Sequence, residues 1–547
     1  MKKTLALAVL VHHLLVADLA QAASNESPVF DVYEYVIEGN TVLPPNVVER
    51  VVTPFMGPGK KFADLELARA ALEKAYQDAG YLSVLVSLPD QRVDGGEVRL
   101  EVAESAVERL KISGSQYHLP SRVREQVPSL ATGQVPYFPQ VQQELGAAQT
   151  SDLQLTPLIA ASEDGMGIDV DLKVQDTAPF HGALEYTNGQ SYNTTKGRLS
   201  VTASYSNLFQ LGHTIGLSWQ YAPLRPKDGN TLSLIYGLPL SGRDDVLMSF
   251  TNSNSDTPTN VGASSAGPSS TLTKGQFYGL RWSRRLSALQ WPVRHSFFAA
   301  LDYKNNRDFN AFEGGTTTSK PPLKYPVLSG GYNLSWNGQN NAVTSIATTL
   351  KGSAQSLAAR NVDCGGKALD QFECKRAGST ADFLAWQLSV DHLQPLWGNW
   401  KLNLSADAQW ANGPLPGGEQ FSLGGPSTVR GYFDFEQSGD EGWNTRVELV
   451  SPVWLSVGSL HATSLVFADR GFLHYMRPQA TQLGRIHMGS EGVGLRIKGD
   501  DGLQVSLDVA MPTFDTQRVT DNGTRQYASG PKANRRVRVD LSLRQAF

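Results

Sequence analysis

From about Thr177 onward, apolar and polar residues alternate along the chain. In "NWKLNLSADAQWA", Trp400, Leu402, Leu404, Ala406, Ala408 and Trp410 fall on one side, and Lys401, Asn403, Ser405, Asp407 and Gln409 on the other. That is the period-2 signature of a strand with two unlike faces. Its ten steps, at ~3.3 Å each, span about 33 Å. Tilted by ~40–45°, such a strand covers about 25 Å, the height of the apolar band of an outer-membrane barrel. The two tryptophans fall at its ends, where aromatic girdles belong. The same rule runs through Leu199, Val201, Ala203 and Tyr205, through Ile215, Leu217, Trp219 and Tyr221, and through Leu503, Val505, Leu507 and Val509. One such strand would also suit the outside of a β-sandwich. An apolar face that persists opposite a consistently polar one predicts a membrane β-barrel.

Counting alternating segments from about Phe180 to Phe547 gives sixteen. The links between them alternate in length. "NLFQLG", "SALQ", "NGQN", "PLWGN" and "GDDG" are short. "SNSDTPTNVGASSAGPSS", Asn305 to Pro322, the stretch around the cysteines, Ala411 to Gly442 and Met511 to Asn534 are long. Transmembrane barrels have short periplasmic turns and longer outer loops, and an even strand number puts both barrel ends in the periplasm. The last segment, "RRVRVDLSLRQAF", sets Val537, Val539, Leu541, Leu543 and the final Phe547 on one face. An aromatic residue closing an amphipathic strand is a typical barrel ending, and Phe547 is expected to serve as the signal read by the barrel-assembly machinery.

Before Thr177 the pattern is different. Tyr33 to Glu38 predicts a strand ended by Gly39-Asn40. Pro44 and Pro45 open a short helix through Val51, and Asp64 is expected to cap a second helix with Leu65, Ala68, Leu72, Tyr76 and Ala79 on one face. Gly80 ends it, and "YLSVLVSLP" and "GEVRLEVAE" follow as strands. The order β-α-α-β-β then recurs weakly, from "VERLKISG" through "SRVREQVPSL" and "FPQVQQELGAAQ" to "TPLIAASED" and "GIDVDLKVQD". This internal repeat predicts two related small α+β domains, at 29–104 and 105–176, before a barrel over 177–547.

Composition narrows the class. The 547 residues carry 48 basic and 52 acidic side chains, which gives no support for a nucleic-acid partner. Met1-Lys2-Lys3, the apolar run from Leu5 to Leu15 and Ala20-Gln21-Ala22 read as a signal peptide over 1–22. The apolar run is short of the ~20 residues a retained helical span needs. Cys364 and Cys374, in "DCGGKALDQFEC", are the two cysteines of the chain. In an exported protein they are candidates for a local disulfide, and without a nearby histidine they make a poor zinc site. No Walker, zinc, dinucleotide or nucleophile-elbow motif is present, so neither an enzyme nor a cofactor is expected.

One long link carries an unusual cluster, "GGPSTVRGYFDFEQSGD" from Gly424 to Asp440, in which Val429, Arg430, Gly431 and Tyr432 spell VRGY. Further on, "FADRG" holds Phe467, Asp469 and Gly471 at alternate positions, on the thirteenth predicted strand. With "IEGNTVL" and "AYQDAGYLSVLVSLPDQRVDGGEVRLEV" in the first small domain, these motifs make the chain resemble, from about Phe30 to Phe547, the outer-membrane transporters of two-partner secretion, the group of haemolysin and filamentous-haemagglutinin exporters. VRGY matches that family's sixth outer loop, and FADRG its F-x-D-x-G pattern. The resemblance implies that the small domains are periplasmic polypeptide-transport-associated (POTRA) domains that catch an unfolded exoprotein, of adhesin or haemolysin type. It implies that the barrel, seated in outer-membrane lipid, conducts the client to the cell surface. It also implies that the loop 411–442 folds into the barrel and that Arg430 pairs with Asp469. Phe467, Asp469 and Gly471 would face the lumen, with Gly471 leaving room for the loop. Some family members carry an N-terminal plug helix. About seven residues separate the expected cleavage site from Phe30, so the inserted loop is expected to block the pore alone. The alternative within the same superfamily is a barrel-assembly insertase, which usually carries three to five POTRA domains rather than two.

Overall fold

The computed structural model describes residues 29–547, apart from 94, 164, 166, 262–269, 287–292, 308, 314–315, 479–482, 520–524 and 534–536. The signal peptide over 1–22 and the turn "SALQ" lie outside the described residues.

The N-terminal α+β region is built on a three-stranded sheet. Its central strand, Glu97–Glu104, runs parallel to Glu34–Glu38 on one side and antiparallel to Val84–Ser87 on the other. Val98, Leu100 and Val102 are buried while the residues between them face water, as a sheet covered on one side requires. The cover is the helix Phe62–Asp78, which buries Leu65, Ala68, Leu72 and Tyr76. Asp64 does not occupy the cap itself. The helix begins two residues earlier, and Asp64 sits in its first turn, where its carboxylate accepts the Lys61 N–H at 2.8 Å. An acid there serves the free N–H groups of the helix start as well as a capping residue would. The same sheet order returns in the strands Val107–Ser113, Ile168–Asp176 and Leu153–Ala161. The repeat extends to a backbone detail. Gly39 and Gly114 both have positive φ, and a Cβ on either would strike a carbonyl, at 2.3 Å from Val102 O and 2.5 Å from Val174 O. Only glycine fits where the first strand turns off the sheet.

The second architecture is a closed antiparallel barrel of sixteen spanning strands. In chain order the first eight are Phe180–Thr187, Arg198–Leu208, His213–Tyr221, Asn230–Pro239, Asp244–Val261, Ser270–Arg285, Val293–Asn306 and Leu323–Asn337. The second eight are Val343–Gly352, Leu384–Pro395, Lys401–Ala411, Glu441–Val450, Leu460–His474, Arg485–Gly499, Leu503–Pro512 and Arg538–Ala546. Leu455–Val457 folds back as a small hairpin on the start of the thirteenth. Ser542 to Ala546 pair with Ala183 to Thr187, and Phe547 exchanges two backbone hydrogen bonds with Gly182, at 2.8 and 2.9 Å. A closed ring leaves no spanning strand with unpaired backbone facing lipid.

Alternation decides which side chains meet lipid. Leu217, Trp219, Leu234, Trp386, Trp410, Val466, Val493 and Leu543 are exposed on the outer face, and Trp386 stacks on Trp410 at 4.7 Å. Gln409, Asn444, Asp469 and Ser490 point inward and are buried. Several long links are more ordered than the polar sequence suggests. The fifth and sixth strands run on to Val261 and from Ser270, absorbing much of "SNSDTPTNVGASSAGPSS". Short strands pair in two others, Phe309–Glu313 with Thr316–Lys320 and Thr516–Val519 with Arg525–Ser529.

The lipid-facing assignment predicts opposite costs for neighbouring positions. Leu217→Arg, at mid-strand on the outside, should lower the unfolding free energy in lipid vesicles by roughly 2–4 kcal/mol. Ser218→Arg, facing the lumen, should cost about 1 kcal/mol or less. Urea titration of the two variants checks the difference.

Candidate functional site

The link after the eleventh strand turns back into the barrel. Phe421–Leu423 and Gln437–Gly439 pair as a narrow antiparallel stalk, and the segment between them forms the tip. Gly471 makes the approach possible. A Cβ there would lie 2.6 Å from Leu423 Cδ1 and 3.1 Å from Val429 Cγ2. Leu423, Val429, Tyr432, Leu473 and Met488 close into one buried apolar cluster between tip and wall. Gly431, at φ +87°, carries the tip past Pro512, whose ring would stand 3.1 Å from a Cβ.

Arg430, 1% exposed, is the largest fully buried side chain of the described residues. Its Nε donates to Asp469 Oδ2 at 2.8 Å and its Nη2 to Asp469 Oδ1 at 2.7 Å, a side-on bidentate pair. The Arg430 backbone N–H donates to the same carboxylate at 3.0 Å. Nη1 donates to Glu448 Oε1 at 2.7 Å, and the guanidinium lies 3.5 Å above the centre of the Phe467 ring. Burial by itself would lower the Arg430 pKa, but the hydrogen bonds and charge of Asp469 raise it above its usual value. Lysine could not replace it, since a single ammonium cannot serve two carboxylates and stack on a ring in this geometry. Around the clamp, Arg496 pairs with Asp508 at 2.7 and 2.9 Å, and Asp508 lies 4.0 Å from Arg430 Nη1. Tyr432 packs into the apolar cluster and also ties tip to wall. Its hydroxyl lies 2.9 Å from the carbonyl oxygens of both Gly489 and Phe514, with its one hydrogen to donate between them. Burial pushes its pKa up to about 12.

The structure thus brings Val429, Arg430, Gly431, Tyr432, Phe467, Asp469 and Gly471 together. Phe547 sits elsewhere, at the seam of the first and last strands, its ring 6.4 Å from Phe180. Cys364 and Cys374 form a disulfide, their Cα atoms 5.8 Å apart, in the link between the ninth and tenth strands.

Three further anchors of the loop escaped the sequence reading. Asp440 receives both terminal nitrogens of Arg376, the Nη2 contact at 2.6 Å, together with the N–H groups of Leu415 and Met476. Glu436 accepts from the hydroxyls of Thr516 and Ser529, the latter at 2.7 Å. Glu419, wholly buried, accepts from Lys304 and from Lys351 at 3.0 Å. Desolvation would raise the Glu419 pKa, but the two lysines hold it down at about 2. Arg376 belongs to the disulfide-bearing link, and Phe372 of the same link packs with Tyr325, Phe383 and Leu415. The one signal in the sequence was an excess of acids in a Gly-rich loop, Glu419, Asp434, Glu436, Asp440 and Glu441 against the single base Arg430.

The seat of the tip predicts a sharp effect at Gly471. Gly471→Ala should push Leu423 and Val429 off the wall without disturbing the strand ladder. Protease added to intact cells should then cut within 411–442 at least about tenfold faster than in wild type, the ratio for ~1.4 kcal/mol of lost seating. Barrel insertion, read as heat-modifiable migration, should be unchanged.

The comparisons agree with this architecture. The model of the haemolysin secretion/activation protein family ShlB/FhaC/HecB matches residues 167–497, and that of the ShlB-type POTRA domain matches residues 30–105. The outer membrane transporter CdiB of Escherichia coli is 25% identical over 483 residues, covering 83% of this chain and 74% of the relative. The solved structure of CdiB from Escherichia coli superposes with a TM-score of 0.66 at 19% identity, over 96% of this chain and 92% of that one. CdiB from Acinetobacter baumannii gives 0.60 at 15% identity, over 98% and 93%. At these identities the structures show the shared fold. The family model spans more than half the chain, and its barrel and POTRA regions are those described above. The chain therefore belongs to the ShlB/FhaC/HecB family of two-partner secretion transporters, with its barrel in the outer membrane and its POTRA regions in the periplasm.

Proposed function

We propose that this transporter binds an unfolded exoprotein through its POTRA regions and passes it through the barrel lumen to the cell surface, with the loop 411–442 closing the pore between transport events. The observation that carries the reading is the Arg430 clamp: a full positive charge, buried in the lumen, held by Asp469 and Glu448. A loop held there occupies space a chain in transit would need. Its contacts with the wall are largely polar and can be exchanged for water in a wet lumen, whereas an apolar plug would leave bare hydrocarbon behind. At the periplasmic end, Val84–Ser87 forms an edge of its sheet, to which an extended client can add as a further strand. The client is a large exoprotein of adhesin or haemolysin type. Catalysis plays no part, and the energy for passage comes from folding of the client outside.

Co-expression with a candidate exoprotein tests this. Wild type should deliver the client to the surface or medium. Arg430→Ala should reduce delivery at least about tenfold, since losing one partner of a buried pair strands the other, while the barrel inserts as before. Wild type exporting no client would sink the export reading. Normal export by a normally inserted Arg430→Ala barrel would sink the role of the clamp.

A further inference from the structure

The loop meets the wall a second time, five strands around the ring from the thirteenth. Lys304 on the seventh strand, Tyr325 on the eighth and Lys351 on the ninth all converge on the single carboxylate of Glu419. Lys304 and the Tyr325 hydroxyl, the latter at 2.8 Å, donate to Oε1, and Lys351 donates to Oε2 at 3.0 Å. All four side chains are essentially inaccessible to solvent. Asp302, one inward position along from Lys304, is also buried and supplies the second negative charge. The backbone is held too, with Gln409 Nε2 donating to the Glu419 carbonyl at 3.1 Å and to that of Asp440 at 3.0 Å. That glutamine bridges the two limbs of the loop.

Stability alone does not call for this arrangement. Apolar residues of the same volume would do as well or better in a permanently closed core. What the buried charges add is a position: the glutamate fits one place on the wall. The site also tolerates being undone. If the loop leaves, both lysines face a water-filled lumen and are hydrated, which apolar contacts would not be. We propose that Glu419 is a second positioning residue of the transport pathway. With Lys304, Tyr325 and Lys351 it fixes the entering limb of the loop to the seventh, eighth and ninth strands, independently of the Arg430–Asp469 clamp at the tip. Both anchors have to be released before the lumen is clear.

The inference rests on reading the barrel as a gated conduit, and bilayer conductance tests it without any client. The full chain is reconstituted as wild type, Glu419→Gln, Arg430→Ala and the double variant. Each single change should raise occupancy of the high-conductance state at least about 100-fold, in line with removal of one member of a buried pair. The two increases should multiply in the double variant, as they do for independent sites. Glu419→Gln with wild-type occupancy in an inserted barrel overturns the proposal, and a shift from Arg430→Ala alone leaves the transport reading standing without it. Should Glu419→Gln fail to insert, Lys304→Met/Lys351→Met/Glu419→Gln removes the stranded charges. Raised occupancy in that triple variant supports the proposal. Wild-type occupancy, or failure to insert again, makes the cluster a folding element and overturns it.

Discussion

A charge withdrawn from water has to meet its opposite, and the interior of this barrel is arranged around that requirement. Arg430 is the clearest case. Its guanidinium lies too deep for solvent, so Asp469 and Glu448 must stand where they do, on the thirteenth and twelfth strands, with Phe467 beneath. Asp440 and Arg376 obey the same rule at the outer end of the loop. Each pair fixes a short piece of chain to a wall that hydrogen bonds have already made stiff. The loop takes one shape because its charges have one set of places to go. Desolvating so many ions is costly, and the cost is met only in geometries where every carboxylate is nearly saturated with donors.

The division of labour between wall and loop follows from what each element can satisfy internally. Strands satisfy their backbone across the ladder, so their side chains are free to be apolar outward and polar inward. The loop has little ladder of its own beyond the short stalk of Phe421–Leu423 and Gln437–Gly439. It borrows from the wall instead: the Gly489 and Phe514 carbonyls for Tyr432, and the hydroxyls of Thr516 and Ser529 for Glu436. Hydrocarbon enters at the tip, in the small cluster of Leu423, Val429, Tyr432, Leu473 and Met488, and at Leu415 near the first foot of the loop.

How much of this could be read from sequence depended on distance along the chain. Strand faces were legible because period-2 alternation is local, as Trp400 to Trp410 shows, and lipid was legible because the same alternation persists through segment after segment. Arg430 and Asp469 were legible only as members of two motifs of a resembled family, since nothing local in "VRGY" names its partner. Glu419 was illegible. Its lysines lie 115 residues before it at Lys304 and on a strand two further along at Lys351. Polar residues recur at inward positions around the barrel, Gln387, Gln409, Asn444 and Ser490 among them, so the pattern does not single these two out. The cap assigned to Asp64 was three residues late for a different reason, because an acid in the first turn and an acid at the cap answer the same need for hydrogen-bond acceptors.

The inserted loop remains part of the chain, with Ala411 and Glu441 ending adjacent, hydrogen-bonded strands at its two feet. Once displaced it cannot diffuse away. Its tip stays near its seat at an effective concentration that short tethers set on the order of millimolar. Re-closure is then an intramolecular event whose rate owes nothing to the amount of transporter in the membrane. A separate stopper would have to be made, exported and matched in number to its pores. On the proposed reading this pore would carry its own, in a fixed ratio of one to one.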